Sequence, residues 1–223
     1  MARVCVFDVN ETLLDLRALD PPFEAAFGTA GVRQQWFGQL LQSALVSIVT
    51  DRYTDFGQIG RAALEMIAAR HDVTLSDAQR DGILSTMRNL PAHPDVVPAL
   101  DRLQSAGFRL ATLTNSTEAV ANAQLANAGI ADRFERILSA DTARRLKPAP
   151  EPYRMAAREL GVDIGQVRLI AAHAWDVAGA LRAGAAAAFV GRPGMVLDPL
   201  VERPDIVGAD LMEVAGAIVE REK

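Results

Sequence analysis

Hydrophobic and polar positions follow two different patterns along this chain, and the pattern changes near residue 90. Residues 3–7 form a short run that is apolar after its first residue, which predicts a buried strand. Residues 21–90 show helical spacing and carry no strand signal. The apolar positions of two helical faces in this block are Trp36, Leu40, Ala44, Leu45 and Ile48, followed by Ile59, Ala62, Ala63, Met66 and Ile67. Ser76 to Gln79 form a capping-box pattern that opens a third helix.

Beyond Pro91, apolar runs typical of strands alternate with helical periodicity. The predicted strands cover 108–113, 137–139, 167–171 and 187–190. The predicted helices cover 94–106, 151–160, 177–183 and 210–222. One further helix is predicted to be capped by residues 115–117 and to end at residue 128. Such alternation predicts parallel βαβ units. The predicted fold class is therefore α/β, a doubly wound Rossmann-like parallel sheet core with an inserted all-helical cap. We expect the core domain at residues 1–15 and 91–223 and the cap domain at 16–90.

Composition and charge narrow the class of protein. The chain has 223 residues, of which 50% are hydrophobic and 23% are charged, as in a soluble globular protein. Its net charge of -5 argues against general binding to nucleic acid or to an anionic membrane. The sequence has no apolar run of about 18 residues, so we expect no membrane-spanning helix. A single cysteine, Cys5, excludes an internal disulfide and suits a reducing compartment, so we predict a cytoplasmic protein.

Four polar clusters follow predicted strands. They are Asp8, the segment 114–116, the Lys147–Pro148 pair and the segment 173–176. Each cluster has a plain structural interpretation when taken singly, as a helix cap or as a solvated loop. In a doubly wound sheet, however, the carboxyl ends of the strands meet at one crevice. Their shared placement therefore favours a common site over four separate caps and loops.

At these residues the chain resembles the haloacid dehalogenase superfamily of aspartate-nucleophile hydrolases, and within it most closely the L-2-haloacid dehalogenases of type II. The resemblance covers essentially the full length, from Asp8 and the inserted helical cap to Thr114, Lys147 and Asp176. Further matching segments are Arg33-Gln34-Gln35, Arg52 to Phe56, Leu113 to Ser116, Lys147-Pro148 followed by Tyr153, and Ala174 to Ala180. The last segment is the most specific signal. The resemblance implies the α/β core with a helical cap and hydrolysis of short 2-haloacids to 2-hydroxy acids.

The residue at position 10 bears on the leaving group. Phosphatases of this superfamily carry a carboxylic acid two residues after the nucleophile, and this acid protonates the departing alkoxide. The chain has Asn10 there, and it has Ala172 where phosphatases usually hold another acidic metal ligand. Halide leaves without a proton, so we expect a dehalogenase that needs no metal and no other cofactor. The alternatives are a Mg²⁺-dependent phosphatase of a small phosphate ester and a non-enzymatic binder that has lost turnover.

The resemblance also implies roles for individual residues. Asp8 would be the nucleophile, Lys147 would keep it ionised, Asp176 would orient water, and Arg33 would meet the halide. The expected substrate-binding residues are Asn10, Thr114, Asn115, Phe56, Tyr153 and His173. Among these, Asn115 would donate a hydrogen bond to the halide, Phe56 would exclude water, and Thr114 would hold the substrate carboxylate. The expected partners are a small-molecule 2-haloacid and, in a homodimer, a second copy of the chain.

The chain departs from the family pattern in two places. The family typically has Tyr and Gly where this chain has Asn10 and Glu11, and it has Ser-Ser-Asn at 171–173 where this chain has Ala-Ala-His. His173 places a larger, titratable group near the nucleophile. It could orient water, fill the halide pocket, narrow the site or serve only a structural purpose. Halogen and chain-length preference are left open by these changes.

Overall fold

One parallel sheet organises the fold. The structure is a computed structural model that describes residues 4–222. Four residues lie outside the described range: Met1, Ala2, Arg3 and Lys223. Of these, Arg3 is the first residue of the predicted strand, and Lys223 is the last residue of the predicted core. The strands are β1 (Val4–Phe7), β2 (Arg109–Thr114), β3 (Arg136–Ser139), β4 (Val167–Ala171), β5 (Ala186–Val190) and β6 (Ile206–Gly208). Their order is β3-β2-β1-β4-β5-β6, and all neighbours pair in parallel. This is a doubly wound order, with its switch point beside β1.

Successive residues of β1 belong to opposite faces of the sheet. Cys5 and Phe7 pack into one hydrophobic cluster, and Val4 and Val6 pack into the other. A strand covered on both faces has no solvent side, which is why its sequence is a continuous apolar run. The predicted strand at the start of the chain is confirmed over its described residues.

Helices cover both faces of the sheet. Those outside the 16–90 segment are α5 (Val96–Ser105), α6 (Glu118–Asn127), α7 (Pro150–Glu159), α8 (Ala174–Ala183) and α9 (Leu211–Glu222). The buried residues of α5, α6 and α9 join the cluster of Phe7, while those of α7 and α8 mostly join the cluster of Val6. The predicted doubly wound α/β fold is confirmed.

Residues 16–90 contain four α-helices and no strand. They are α1 (Asp20–Phe27), α2 (Val32–Val49), α3 (Phe56–Arg70) and α4 (Asp77–Thr86). Two prolines lie in the first turn of α1, where the missing amide protons cost nothing. The side chain of Asp55 caps α3 by accepting from Gln58 N at 2.9 Å. The predicted capping box of Ser76 and Gln79 is present at the start of α4.

The buried faces of α2 and α3 differ from the prediction at three positions. Leu45, Ala62 and Met66 are exposed, with 45% of Leu45 and 42% of Met66 accessible to solvent. The buried stripe of α3 is instead Ile59, Gly60, Ala63, Leu64, Ile67 and Ala68. The stripe is shifted because α3 packs on α2 through Gly60, whose carbonyl accepts from Trp36 Nε1 at 2.9 Å. Within residues 4–222, no helix is both long enough and apolar enough to cross a membrane.

The chain leaves the sheet and returns to it at neighbouring points. Leu14 forms an antiparallel bridge with Ala92, and Asp15 N donates to Pro91 O at 2.8 Å. The helical segment also touches the core at a second place, where Tyr53 bonds Asp141. The 16–90 segment is therefore held beside the carboxyl ends of the strands, through contacts at both of its ends and at one loop.

Candidate active site

The carboxyl ends of three neighbouring strands bring the polar clusters together. Asp8 follows β1, Thr114 ends β2, and His173 lies two residues beyond β4. Asp8 N donates to Ile170 O at 3.0 Å, which extends the parallel ladder up to the site. Lys147 reaches the same point from the loop that precedes α7. The arrangement follows from the strand order, because β2, β1 and β4 are adjacent.

Lys147 lies at the centre of the site. Its ammonium donates to Asp8 Oδ1 at 2.9 Å, to Asp176 Oδ2 at 2.6 Å and to the Leu113 carbonyl at 2.8 Å. These three contacts use all three ammonium protons. The residue is only 1% exposed, and the two carboxylates raise its pKa above the usual value despite the opposing effect of burial. Lys147 is therefore a fixed cation between two buried carboxylates.

Asp8 is buried and ionised. Its Oδ1 faces Lys147, and its Oδ2 accepts from Thr12 Oγ1 at 2.7 Å and lies 3.2 Å from His173 Nδ1. Burial alone would raise the pKa of Asp8, but Lys147 and His173 outweigh it and hold the pKa well below its usual range. The carboxylate is thus available as a nucleophile across the physiological pH range.

Asp176 lies in the first turn of α8 and is fully buried. Tyr153 on α7 donates to Asp176 Oδ1 at 2.5 Å, and Lys147 occupies Oδ2. Burial raises the pKa of Asp176 above its usual value, Lys147 opposes this shift, and the charge of Asp8 adds to it. Compared with Asp8, this carboxylate holds a proton more readily, so it is the better proton acceptor of the two.

Asn115 and Asn10 are engaged with protein groups. Asn115 Oδ1 accepts from Lys147 N at 2.7 Å, and its Nδ2 donates to Lys147 O at 3.2 Å. Asn10 Nδ2 donates to Ser116 Oγ at 3.3 Å, and its Oδ1 accepts from Gln124 Nε2 at 3.0 Å. In this structure Asn115 therefore fixes the loop that carries Lys147, and Asn10 is anchored towards α6.

The two residues expected from the helical segment line different cavities. Arg33 lines a cavity of about 770 Å³ that also contacts Glu11 and His173. It is 7% exposed, and its Nε bonds Asp20 Oδ1 at 2.5 Å. Phe56 lines a separate cavity of about 300 Å³ that reaches Ser116. The structure thus brings Arg33, but not Phe56, to the cavity beside His173.

Three residues of the site did not emerge from the sequence. Thr12 donates to Asp8, and its own Oγ1 accepts from Ala172 N at 2.9 Å. Glu11 Oε2 lies 2.8 Å from His173 Nε2. Arg192, which follows β5, donates to Thr12 O at 2.8 Å and holds the loop after β1. The spacing of Thr12 from Asp8 was an available signal, whereas the other two contacts join residues far apart in the chain.

A Mg²⁺ site does not fit these side chains. The two carboxylates that would share the ion, Asp8 and Asp176, are both bonded to the Lys147 ammonium. A divalent cation bound to both would have to displace or directly oppose that charge. Within residues 4–222, no group of three or more His, Cys, Asp or Glu side chains has a metal-binding arrangement.

The fold and this arrangement of Asp, Lys and Asp define a hydrolase of the aspartate-nucleophile class. A model of the haloacid dehalogenase-like hydrolase family matches residues 2–184, which is most of the chain. The chain belongs to this family, and the resemblance found in the sequence is confirmed.

Its relatives include dehalogenases of 2-haloacids. The chain is 28% identical to (S)-2-haloacid dehalogenase 4A of Burkholderia cepacia over 86% of this chain and 84% of that protein. It is also 28% identical to (S)-2-haloacid dehalogenase 2 of Pseudomonas sp. strain CBS-3, over 95% and 93% of the two chains. The structure matches L-2-haloacid dehalogenase from Xanthobacter autotrophicus with chloropropionic acid covalently bound, with a TM-score of 0.91, 25% identity and 98% coverage of both chains.

Proposed function

We propose that this protein hydrolyses short L-2-haloacids to D-2-hydroxy acids and halide through an ester on Asp8. One observation carries the proposal: the Lys147 ammonium lies between Asp8 and Asp176, at 2.9 and 2.6 Å. An ionised carboxylate on one side of this fixed cation, and a carboxylate that holds a proton more readily on the other, support attack by Asp8 and proton transfer to Asp176. The family and the dehalogenase relatives support the same chemistry.

In the first half-reaction, Asp8 attacks the carbon that carries the halogen. A bond forms between the carboxylate oxygen and that carbon, and the carbon–halogen bond breaks with its electron pair leaving on the halide. The carbon is inverted, so an L-substrate gives a D-product. The leaving halide needs no proton, which agrees with the amide at Asn10. Arg33, in the cavity beside His173, supplies a cation for the charge that develops on the halide.

In the second half-reaction, water attacks the Asp8 carboxyl carbon rather than the substrate carbon. Asp176 accepts a proton from the water, and the bond from the carboxyl carbon to the alkylated oxygen breaks. The departing alkoxide takes a proton from Lys147, and Asp176 returns its proton to Lys147 across their 2.6 Å contact. The protonated Asp8 carboxyl then ionises. Its carboxylate carries one oxygen from water, and one proton is released for each halide.

The remaining site residues have supporting roles in this proposal. Thr114 and the backbone amides after Asp8 bind the substrate carboxylate. Tyr153 orients Asp176 through its 2.5 Å hydrogen bond. Asn115 positions Lys147 and is a further donor for the halide, and Asn10 bounds the substrate pocket. Phe56 lines the neighbouring cavity that reaches Ser116, where its ring limits the access of water from the helical segment.

The deciding assay measures halide and phosphate release side by side. Chloride release from L-2-chloropropionate should proceed unchanged with EDTA, and a phosphate-ester substrate should give no phosphate with Mg²⁺. The variant Asp8→Asn should lose chloride release, because an amide oxygen is a poor nucleophile. Asp72→Asn, a matched change at an exposed turn, should retain it. Phosphate release that requires Mg²⁺, without any chloride, would establish the phosphatase alternative.

We further propose the division into a core of residues 1–15 and 91–223 and a cap of residues 16–90, in a cytoplasmic homodimer. The bridge between Leu14 and Ala92 supports the division, because the chain crosses between the two parts at one place. Exposed aliphatic side chains near the end of α2 support the dimer, and Val49 is 84% exposed. Val49→Asp should shift the mass measured by light scattering from dimer to monomer, whereas Arg203→Met on an exposed loop should not.

A further inference from the structure

Two residues that depart from the family pattern touch each other beside the nucleophile. Glu11 stands where the resembled family has glycine, and His173 stands where it has asparagine. Their side chains meet at 2.8 Å although 162 positions separate them in the chain. The backbone of Glu11 has a φ of 63°, in the left-handed region that favours glycine. Glu11 thus occupies a backbone conformation that is unfavourable for a residue with a side chain, and from it the carboxylate reaches the His173 ring.

The geometry defines the protonation state of His173. Its Nε2 faces Glu11 Oε2 at 2.8 Å, and its Nδ1 faces Asp8 Oδ2 at 3.2 Å. Ionised carboxylates only accept hydrogen bonds, so both ring nitrogens must donate. The ring is therefore an imidazolium. The two carboxylates raise the pKa of His173 to about 9, although burial opposes the shift.

The contacts of Asp8 distinguish its two oxygens. Each carboxylate oxygen has two lone pairs in the carboxylate plane. On Oδ2 both are used, by the Thr12 hydroxyl at 2.7 Å and by His173 Nδ1 at 3.2 Å. Among residues 4–222, Lys147 is the one donor to Oδ1, which leaves one lone pair. Oδ1 is therefore the attacking oxygen, and Oδ2 becomes the carbonyl oxygen of the ester.

We propose that Glu11 and His173 form a charged pair that, with Thr12, stabilises the oxyanion on Asp8 Oδ2 during hydrolysis of the ester. The inference rests on the proposed function and adds a catalytic residue, His173, and a positioning residue, Glu11. When water attacks the carboxyl carbon, the π electrons of the carbonyl move onto Oδ2. They return to form the new carboxyl group as the bond to Oδ1 breaks. Donors placed in advance on the oxygen that gains charge lower this barrier.

The pair acts differently on the two half-reactions. In the first, a hydrogen bond from His173 stabilises the charge of the free carboxylate, so it does not speed attack on the haloacid. In the second, the same bond strengthens as negative charge builds on Oδ2. The charged pair should therefore increase the rate at which the ester is hydrolysed, without increasing the rate at which the ester forms.

Other charged and titratable groups surround the ring. Lys147 and Asp176 lie on the far side of Asp8, and further groups line the cavity that His173 faces: Asp15, Arg17, Arg33, His93 and Arg192. Of these, His93 has a pKa that burial lowers from its usual value, so it is neutral above neutral pH. Loss of the hydrolytic step at high pH is then assigned to His173.

Burst kinetics measured before the steady state test the proposal. Purified protein is mixed with excess L-2-chloropropionate and quenched, and both free chloride and the mass of the intact protein are measured. In His173→Asn, we expect a burst of about one chloride per site, followed by turnover about 100-fold slower than wild type. The mass of the protein should increase by that of one propionate group, which is bound through its second carbon to the Asp8 carboxylate. Glu11→Gln should show the same burst and the same ester with a smaller loss, and Glu24→Gln on exposed α1 should behave as wild type.

A second measurement does not depend on turnover. The imidazole signals of His173, assigned by their loss in His173→Asn, are followed by NMR as a function of pH. We expect a midpoint near 9 in wild type and a lower midpoint in Glu11→Gln. A wild-type midpoint near 6.5, or variants that lose the chloride burst without accumulating ester, would overturn the proposal. Absence of chloride release in wild type would overturn the proposed function and the hydrolytic role with it, while the NMR midpoint would still decide whether the charged pair exists.

Discussion

Asn115 holds the backbone of Lys147 at two points. Its Oδ1 accepts from Lys147 N at 2.7 Å, and its Nδ2 donates to Lys147 O at 3.2 Å. Both residues are buried, and 32 positions separate them. The end of β2 thereby fixes a loop that has no regular structure of its own. The position of the ammonium at the site thus depends on an amide that need not touch substrate.

Asn115→Ala should lower both stability and activity. The change leaves a buried amide and a buried carbonyl of Lys147 without partners, and each unsatisfied group costs about 1–3 kcal/mol. We expect the free energy of unfolding in urea to fall by about 2–6 kcal/mol. Chloride release should fall as Lys147 becomes less well positioned.

The control for this change is Asn122→Ala. The Asn122 side chain donates to Glu118 O at 2.8 Å on an exposed turn of α6, so water replaces the lost contact. Its unfolding curve should stay within about 0.5 kcal/mol of wild type. Equal losses in the two variants would show that Asn115 has no special role in holding Lys147.

The elements of the fold that could be predicted are those whose burial produces a local pattern of apolar residues in the sequence. β1, β2, β4 and β5 are buried on both faces and appear as apolar runs, and they lie within one residue of the predicted ranges. β6 has only three residues, and Val207 at its centre is exposed, so its sequence carries no such run. Its strand conformation comes from pairing with β5, which no local pattern encodes.

The residues of the site could likewise be predicted only where a local pattern in the sequence indicates them. Asp8, Lys147 and Asp176 could be found because each follows a strand and the topology brings strand ends together. The contact between Glu11 and His173 joins two loops 162 positions apart, and their departures from the family pattern gave no indication that they meet. The partners of Asn115 were also hidden, because an amide after a strand can equally cap a helix, bind a ligand or hold a loop.

Lys147→Met should destabilise the protein most at alkaline pH. The change leaves Asp8 and Asp176 buried without the cation between them, and loss of one partner from a buried pair costs about 3–5 kcal/mol. In the variant, the folded state raises the pKa of at least one carboxyl above its unfolded value. The folded state then binds more protons, so its stability should increase as pH falls. Denaturation at pH 5 and pH 8 measures this change, and a variant equally destabilised at both values would contradict it.

His173 should make stability depend on pH above neutrality. Its pKa is raised from 6.5 to about 9, so the folded state binds more protons than the unfolded state between these values. This contribution is fully present below about pH 6.5 and is lost as pH rises through about 9, and it amounts to roughly 3 kcal/mol. The difference between the unfolding free energies of wild type and His173→Asn, measured from pH 6 to 10, isolates it. A difference that does not change with pH would show that the ring is neutral.

Gly179 should tolerate no side chain, because α8 approaches α7 closely there. A Cβ at this position would lie 2.5 Å from the Tyr153 hydroxyl and 2.8 Å from the Pro148 carbonyl. Gly179→Ala must therefore displace Tyr153 from Asp176 or move the loop of Lys147. Overpacking of this kind costs about 1–3 kcal/mol, and chloride release should fall with it.

Gly82→Ala is the matched control, since a Cβ in this helix meets no atom within 4 Å and alanine favours the helix by about 0.5–1 kcal/mol. Thermal unfolding should thus move in opposite directions in the two variants. Wild-type activity and stability in Gly179→Ala would show that the packing of α8 against Tyr153 and Pro148 is not needed by the site.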